Sequence, residues 1–263
     1  MNYLKILRTS LLLMLCFSIN TISAQEVNRQ FYQLRTYSFS TDEQVQQTDD
    51  FLKNAYLPAL KRQNIQNIGV FKPKTYEPND TLQRTLVLIP FASLEAFEAL
   101  ETQLLSDKKF QQDGADFINA AHDKQPYTRI SSILLKAFVD MPTLKPTPLE
   151  GERKDRVYEL RSYQSPTVAY HQNKVDMFNA GGEVKLFDAL GFNAVFYSSD
   201  ISGPDMPNLM YMTTFKDQAS REAHWKSFSD SPVWKKLSAL PKYQDNVSHA
   251  DITFLYPTDY SDY

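Results

Sequence analysis

A seven-residue, strand-like motif occurs twice in this chain. Phe31-Tyr32-Gln33-Leu34-Arg35-Thr36-Tyr37 returns 126 residues later as Val157-Tyr158-Glu159-Leu160-Arg161-Ser162-Tyr163. Further matches follow in the same order at nearly the same spacing, which marks a duplication of a whole unit. A fold for such a chain has to be built from two copies of one supersecondary unit that complete each other's core.

Within each copy the hydrophobic periods alternate. Residues 30–38 and 157–164 place aromatics and leucine at every second position, as strands do. Residues 42–64 and 167–190 follow helical spacing. Second strands begin at Val70-Phe71 and Val195-Phe196-Tyr197, and third strands fall on residues 86–89 and 209–212. Ser93 and Asp217 are placed to cap second helices. Residues 130–138 and 252–256 close the copies as final strands. That order is βαββαβ, the ferredoxin-like split βαβ unit, with its helices on one face of an antiparallel sheet. The open face needs cover, and two copies can supply it by packing sheet against sheet. The first long helix of each copy carries breakers at a matching place, Tyr56-Leu57-Pro58 and Gly181-Gly182-Glu183, which points to a kink or a close approach there.

The ends and the middle divide the chain further. Residues 1–24 read as a signal peptide: Lys5 and Arg8 precede an apolar stretch from Leu11 to Phe17, and Ser23-Ala24 offers a cleavage point. The stretch is too short to span a bilayer. The expected product is exported, periplasmic or secreted. It would lack Cys16, the chain's one cysteine, and with it any disulfide, thiolate nucleophile or cysteine metal ligand. The first copy spans residues 29–139. A proline-rich stretch at 140–155 reads as a stiff linker. The second copy covers 156–258, and 259–263 form a tail. The formal charge is −3 for the whole chain, and the basic residues are scattered. Nucleic acid is not an expected partner.

Several stretches of the second copy carry a family resemblance: Tyr158-Glu-Leu-Arg-Ser-Tyr163, Met177-Phe-Asn-Ala-Gly-Gly-Glu183, Leu190-Gly-Phe192, Met206-Pro-Asn-Leu-Met-Tyr-Met-Thr-Thr-Phe215 and Trp225-Lys-Ser-Phe228. They resemble the NIPSNAP family. Copy one matches more loosely, keeping Val70-Phe71 and Phe91 but lacking the glycine pair. The resemblance implies an α+β fold of the dimeric α/β-barrel type, formed here by tandem ferredoxin-like units within one chain. It brings no agreed catalytic residues.

Candidate functional residues cluster in the second copy. Alternation puts Glu159, Arg161 and Tyr163 on one strand face and Tyr158, Leu160 and Ser162 on the other. The apolar set suits the helix side, so Glu159 and Arg161 are expected on the face covered by the other copy. There they would either hold an anionic or carbonyl-bearing ligand with Tyr163 or pair with each other. Pairing is the plainer reading, because buried ionic groups are often structural. Tyr211 and Trp225 are candidates to line an apolar cavity. His171, early in a helix, could be a general base or a haem ligand, and Glu183, after two glycines, a partner acid or base. Each also has a structural reading, His171 as a lone packed histidine and Glu183 as part of a helix kink. His122, His171, His224 and His249 have no metal-pair spacing, and no phosphate-binding glycine loop occurs among the seven glycines.

No metal or cofactor is therefore expected. The leading expectation is a non-catalytic module that binds a small molecule or a protein. The alternative is a cofactor-independent or haem-using oxygenase or isomerase with a pocket in the second copy. The chain is expected as a monomer with pseudo-dimeric symmetry or as a homodimer, with no membrane span.

Overall fold

A computed structural model describes residues 27–74, 83–146 and 149–263. The signal-peptide reading and Cys16 lie outside the described residues. In copy one, β1 (Phe31–Ser38) leads into α1 (Asp42–Phe51), a π-helical stretch (Leu52–Tyr56) and α2 (Leu57–Arg62). β2 (Gly69–Pro73), β3 (Arg84–Phe91), α3 (Leu94–Ser106), α4 (Lys108–Asp113), α5 (Ala115–Ile118) and β4 (Arg129–Ala137) follow. Copy two repeats the order with β5 (Val157–Gln164), α6 (Val168–Phe178), α7 (Glu183–Ala189), β6 (Phe196–Ser202), β7 (Asn208–Phe215), α8 (Gln218–Asp230), α9 (Pro232–Ser238) and β8 (His249–Pro257).

The two four-stranded sheets do not stack face to face as the sequence suggested. They join edge to edge, β2 to β8 and β4 to β6, and close an eight-stranded antiparallel barrel in the order β1-β3-β2-β8-β5-β7-β6-β4. An isolated ferredoxin-like sheet has two unpaired edges, and closure satisfies the backbone groups of both. The expected dimeric α/β-barrel class is the observed one.

Strand alternation then sorts the side chains into three cores. Tyr32, Leu34, Leu86, Leu88, Tyr158, Leu160, Met210 and Met212 point into the barrel. Tyr37, Val87, Ile89 and Phe91 point outward under the copy-one helices. Val157, Tyr211 and Phe215 point outward under the copy-two helices.

The helix starts are capped as the sequence indicated. The Ser93 hydroxyl accepts from the Ala96 N–H, and the Asp217 carboxylate from the Ser220 N–H at 2.7 Å. The paired breakers also act. Gly182 adopts φ +89°, and a Cβ on Gly181 would lie 2.4 Å from the Met177 carbonyl oxygen. Pro58 follows the π-helical stretch that ends at Tyr56. A proline cannot donate to the preceding turn, and a local π register accommodates that loss.

The proline-rich connection is strapped to the barrel rather than standing free. Pro142 accepts from the Gln30 N–H, Lys145 donates to the Val195 carbonyl at 3.1 Å, and Leu144 enters the barrel core. The C-terminal residues return to β2, where the Ser261 hydroxyl accepts from the Val70 N–H and the Tyr263 ring packs 5.7 Å from that of Phe71. Among the described residues, no helix is long and apolar enough to cross a membrane.

Candidate functional site

Each copy encloses a space between the outer face of its sheet and its helices. The two spaces can be compared position by position. β3 with α3 and β7 with α8 run without a gap between them, so Phe91 corresponds to Phe215, Phe97 to Arg221, Glu101 to Trp225 and Leu104 to Phe228. The registers Arg35–Val87 and Arg161–Tyr211 pair the remaining positions.

In copy two the part of this space around Glu159 and Arg161 is filled by the chain's own side chains. Glu159 is fully buried and accepts from Arg161 Nε at 2.7 Å, Arg221 Nε at 2.8 Å, Arg221 Nη2 at 3.0 Å and Trp225 Nε1 at 2.8 Å. The Arg161 guanidinium lies 3.7 Å from the centroid of the Trp225 ring, a stacked cation–π contact. Arg161 Nη1 also donates to the Tyr163 hydroxyl at 2.8 Å, which stands 3.0 Å from that of Tyr211. Burial alone would raise the Glu159 carboxyl, yet the Arg221 hydrogen bonds, the Arg161 charge and the indole N–H hold it below the ordinary carboxylate range.

Thus Glu159, Arg161, Tyr163 and Tyr211 do come together, but on the helix side and bound to one another. The expectation that Glu159 and Arg161 face the other copy is overturned. The barrel interior takes the Tyr158 ring and the Leu160 side chain of the alternate set. Only the helix side brings Arg221 and Trp225 to satisfy a buried carboxylate.

His171 and Glu183 do not form a couple. Glu183 pairs with Lys174 Nζ at 3.1 Å, both side chains being buried, and burial still raises its carboxyl against the pull of Lys174. Among the described residues, no hydrogen bond or ion pair joins Glu183 to His171. The His171 ring is half-buried, its Nδ1 has no partner, and burial lowers its pKa, favouring the neutral form. Among the described residues, no group of three or more metal-ligating side chains is clustered.

Copy one is different. The corresponding space is a cleft of about 810 Å³, within the size range of small-molecule sites. Its walls mix apolar side chains, Phe51, Phe97, Leu104, Phe110 and Tyr127 among them, with polar groups that include Gln33, Arg35, Tyr37, Tyr56, Glu98 and Glu101.

Three buried polar atoms there have no hydrogen-bond partner: Gln33 Oε1, Arg35 Nε and the Tyr56 hydroxyl. Gln33 is 4% exposed and uses its Nε2 to donate to Ser132 Oγ, which leaves the carbonyl oxygen free. The Arg35 guanidinium lies 5.3 Å from the centroid of the Tyr56 ring. Burial raises the Tyr37 and Tyr56 hydroxyls, and the charge and hydrogen-bonding pull of Arg35 only partly offsets it, leaving both raised. For Arg35 itself burial works against the charge, and the oxygens of Tyr56 and Tyr37 and the Glu101 carboxylate outweigh it.

The difference between the copies has an identifiable cause. Where copy two has Trp225, copy one has the exposed Glu101, and where it has Tyr211 and Phe228, copy one has Val87 and Leu104. Arg35 holds in the first motif the position that Arg161 holds in the second. The substitution at the helix position opposite each arginine was the signal that separates them.

A family model described as NIPSNAP matches residues 158–262. Those residues form a NIPSNAP domain. It coincides with the second repeat, where the sequence motifs lie. A NIPSNAP family protein from Agrobacterium tumefaciens str. C58 is similar at 17% identity, over 41% of this chain and 97% of that one, with a TM-score of 0.36. Over both repeats the chain is similar to a "putative monooxygenase" from Lactobacillus acidophilus NCFM, at 10% identity over 87% of this chain and 94% of that one, TM-score 0.57. An anthrone oxidase-like protein is similar at 11% identity, over 88% and 92%, with a TM-score of 0.50. At such identities the likeness shows the barrel architecture alone. A search of the curated proteins finds no match.

Proposed function

We propose that this NIPSNAP-domain protein binds a small molecule in the sheet–helix cleft of its first repeat, and that the second repeat stabilises the barrel that carries it. The observation behind this reading is the contrast between matched positions. Glu159 and Arg161 are saturated by side chains of their own copy, whereas Gln33 Oε1 and Arg35 Nε remain unpartnered beside a cleft of about 810 Å³. Buried polar groups are ordinarily satisfied, so unsatisfied ones lining a cavity suit a ligand. The site belongs to copy one, not copy two as the sequence had suggested.

The chemistry of the cleft favours binding over acid–base turnover. Burial keeps the Tyr37 and Tyr56 hydroxyls protonated, so both act as donors, and Arg35 is a donor only. The oxygenase names of the two barrel-fold relatives do not alter that reading.

The test is a titration of the full chain with the neutral fluorophore N-phenyl-1-naphthylamine, repeated on Glu101→Trp, which places in copy one the ring that fills copy two. Saturable fluorescence enhancement at one site per chain, lost in a folded Glu101→Trp protein, is the expected result. Unchanged binding by that variant removes the cleft as the site. We further propose that the protein is exported, on the strength of the Lys5/Arg8 and Leu11–Phe17 pattern.

A further inference from the structure

The duplication displays the kind of ligand the first-repeat cleft takes. In copy two an indole ring covers the Arg161 guanidinium at 3.7 Å and donates its N–H to Glu159 Oε2 at 2.8 Å. Strip that ring away and what remains is an arginine with one face uncovered, a carboxylate oxygen that has lost one of its two donors (Arg221 Nε stays), and an aromatic-walled space. Copy one has the counterparts at the corresponding positions: Arg35, with the Tyr56 ring centroid 5.3 Å from its guanidinium, the unpartnered Gln33 Oε1, and a cleft lined by both. The helix position that supplies the ring in copy two supplies Glu101 in copy one.

We infer that the cleft binds a planar aromatic compound with a ring N–H or phenolic O–H, stacked on the Arg35 guanidinium and donating to Gln33 Oε1, in the pose Trp225 adopts in copy two. This deepens the proposed function and rests on it.

Three further observations fit that class. An arginine side chain stacks on flat π faces better than on aliphatic surface. The acceptor facing the ring is a neutral amide in copy one and a carboxylate in copy two. The carboxylate is offset there by both Arg161 and Arg221, whereas Phe97 stands at the place of Arg221. Finally, Glu98 and Glu101 outnumber Arg35 in the cleft lining, which disfavours an anionic ligand and suits a neutral or cationic one.

The test uses three bicyclic probes on the full chain, two of them isosteric, each read by displacement of bound N-phenyl-1-naphthylamine. Indole has the ring and the N–H, benzofuran has the ring with an acceptor in place of the N–H, and indole-3-carboxylate adds a negative charge. Indole should displace the fluorophore at about one tenth the concentration of benzofuran, the worth of one hydrogen bond. Indole-3-carboxylate should be weaker than indole. Gln33→Leu should bring indole and benzofuran to within about twofold of each other, and Glu101→Trp should abolish displacement because the fluorophore no longer binds.

Equal displacement by indole and benzofuran, stronger binding of the carboxylate, or no displacement by any probe overturns the ligand class. In each of these cases a fluorophore still blocked by Glu101→Trp leaves the cleft itself standing as the site. A fluorophore that binds Glu101→Trp unchanged overturns both. If Glu101→Trp does not fold, Leu104→Phe, which copies Phe228 of the second repeat, makes the same block with a smaller change.

Discussion

The contrast between the two copies can be measured by removing the same strand position from each. In copy two, Glu159→Ala deletes a fully buried carboxylate that accepts four hydrogen bonds from two guanidinium groups and an indole. The partners stay behind: Arg161 and Arg221 keep their charges, with side chains only 12% and 18% exposed, so water offers them little relief. Breaking a buried pair by deleting one partner costs about 3–5 kcal/mol. In a domain of this size each kcal/mol lowers Tm by about 2–4 °C, which gives a fall of roughly 6–20 °C. In copy one, Gln33→Ala removes one hydrogen bond, that to Ser132, and an oxygen that had no partner. About 0.5–1.5 kcal/mol follows, or roughly 1–6 °C. Thermal unfolding of the two variants by circular dichroism or calorimetry at one protein concentration reads both numbers. Glu159→Gln, which keeps an acceptor but not the charge, should fall between wild type and Glu159→Ala. If Glu159→Ala loses no more than Gln33→Ala, the charge network does not hold the copy-two space shut, and the argument that copy one is the open member of the pair collapses.

Two other outcomes follow from named groups. Burial pushes the Asp200 carboxyl up to about 6, against the pull of the Asn208 amide. A raised carboxyl binds more protons folded than unfolded, so stability should fall as pH rises from about 4 to 6, and Asp200→Asn should remove that slope and gain up to about 3 kcal/mol at pH 8; a variant no more stable at pH 8 than wild type contradicts it. For export, Edman sequencing of the protein from a periplasmic or culture fraction should begin at Gln25, whereas an intact Met1 in a purely cytoplasmic pool contradicts cleavage.

Much of the fold was legible because the determinants are local and repeated. The alternation in β1 and β5, the caps at Ser93 and Asp217 and the matched breakers at Pro58 and Gly181-Gly182 each follow from backbone chemistry that acts within a few residues. What the sequence did not reveal depends on relations across the sheet. Whether the apolar set of β5 faces helices or barrel cannot be read from period-two alternation, since both faces of these strands are buried and both carry large aromatic side chains. The assignment was inverted for that reason. Edge-to-edge closure was missed in favour of stacking because it rests on β2–β8 and β4–β6 pairs that lie far apart along the chain. For the site, Glu159, Arg161, Tyr163 and Tyr211 do assemble, their conspicuousness as a motif reflecting the buried network they complete, whereas His171 and Glu183 do not pair with each other.

A duplicated barrel starts with two equivalent spaces, and its stability does not require both to stay open. Packing one of them with Trp225, Tyr211 and Phe228 buries aromatic surface, each such ring contributing of order 150–250 Å². The same change closes that space to ligands. The other copy keeps Glu101, Val87 and Leu104 at the matching positions and forgoes that packing. An open cleft with unsatisfied polar atoms costs stability, of order 1–3 kcal/mol for each buried group left unpaired. Three such atoms in one cleft, opposite a copy that shows how each of the two strand positions can be satisfied, are hard to account for by packing alone. In the proposed reading, the copy with the clearer family resemblance is the structural one. The looser copy, where the family pattern is least complete, retains the features of a binding site.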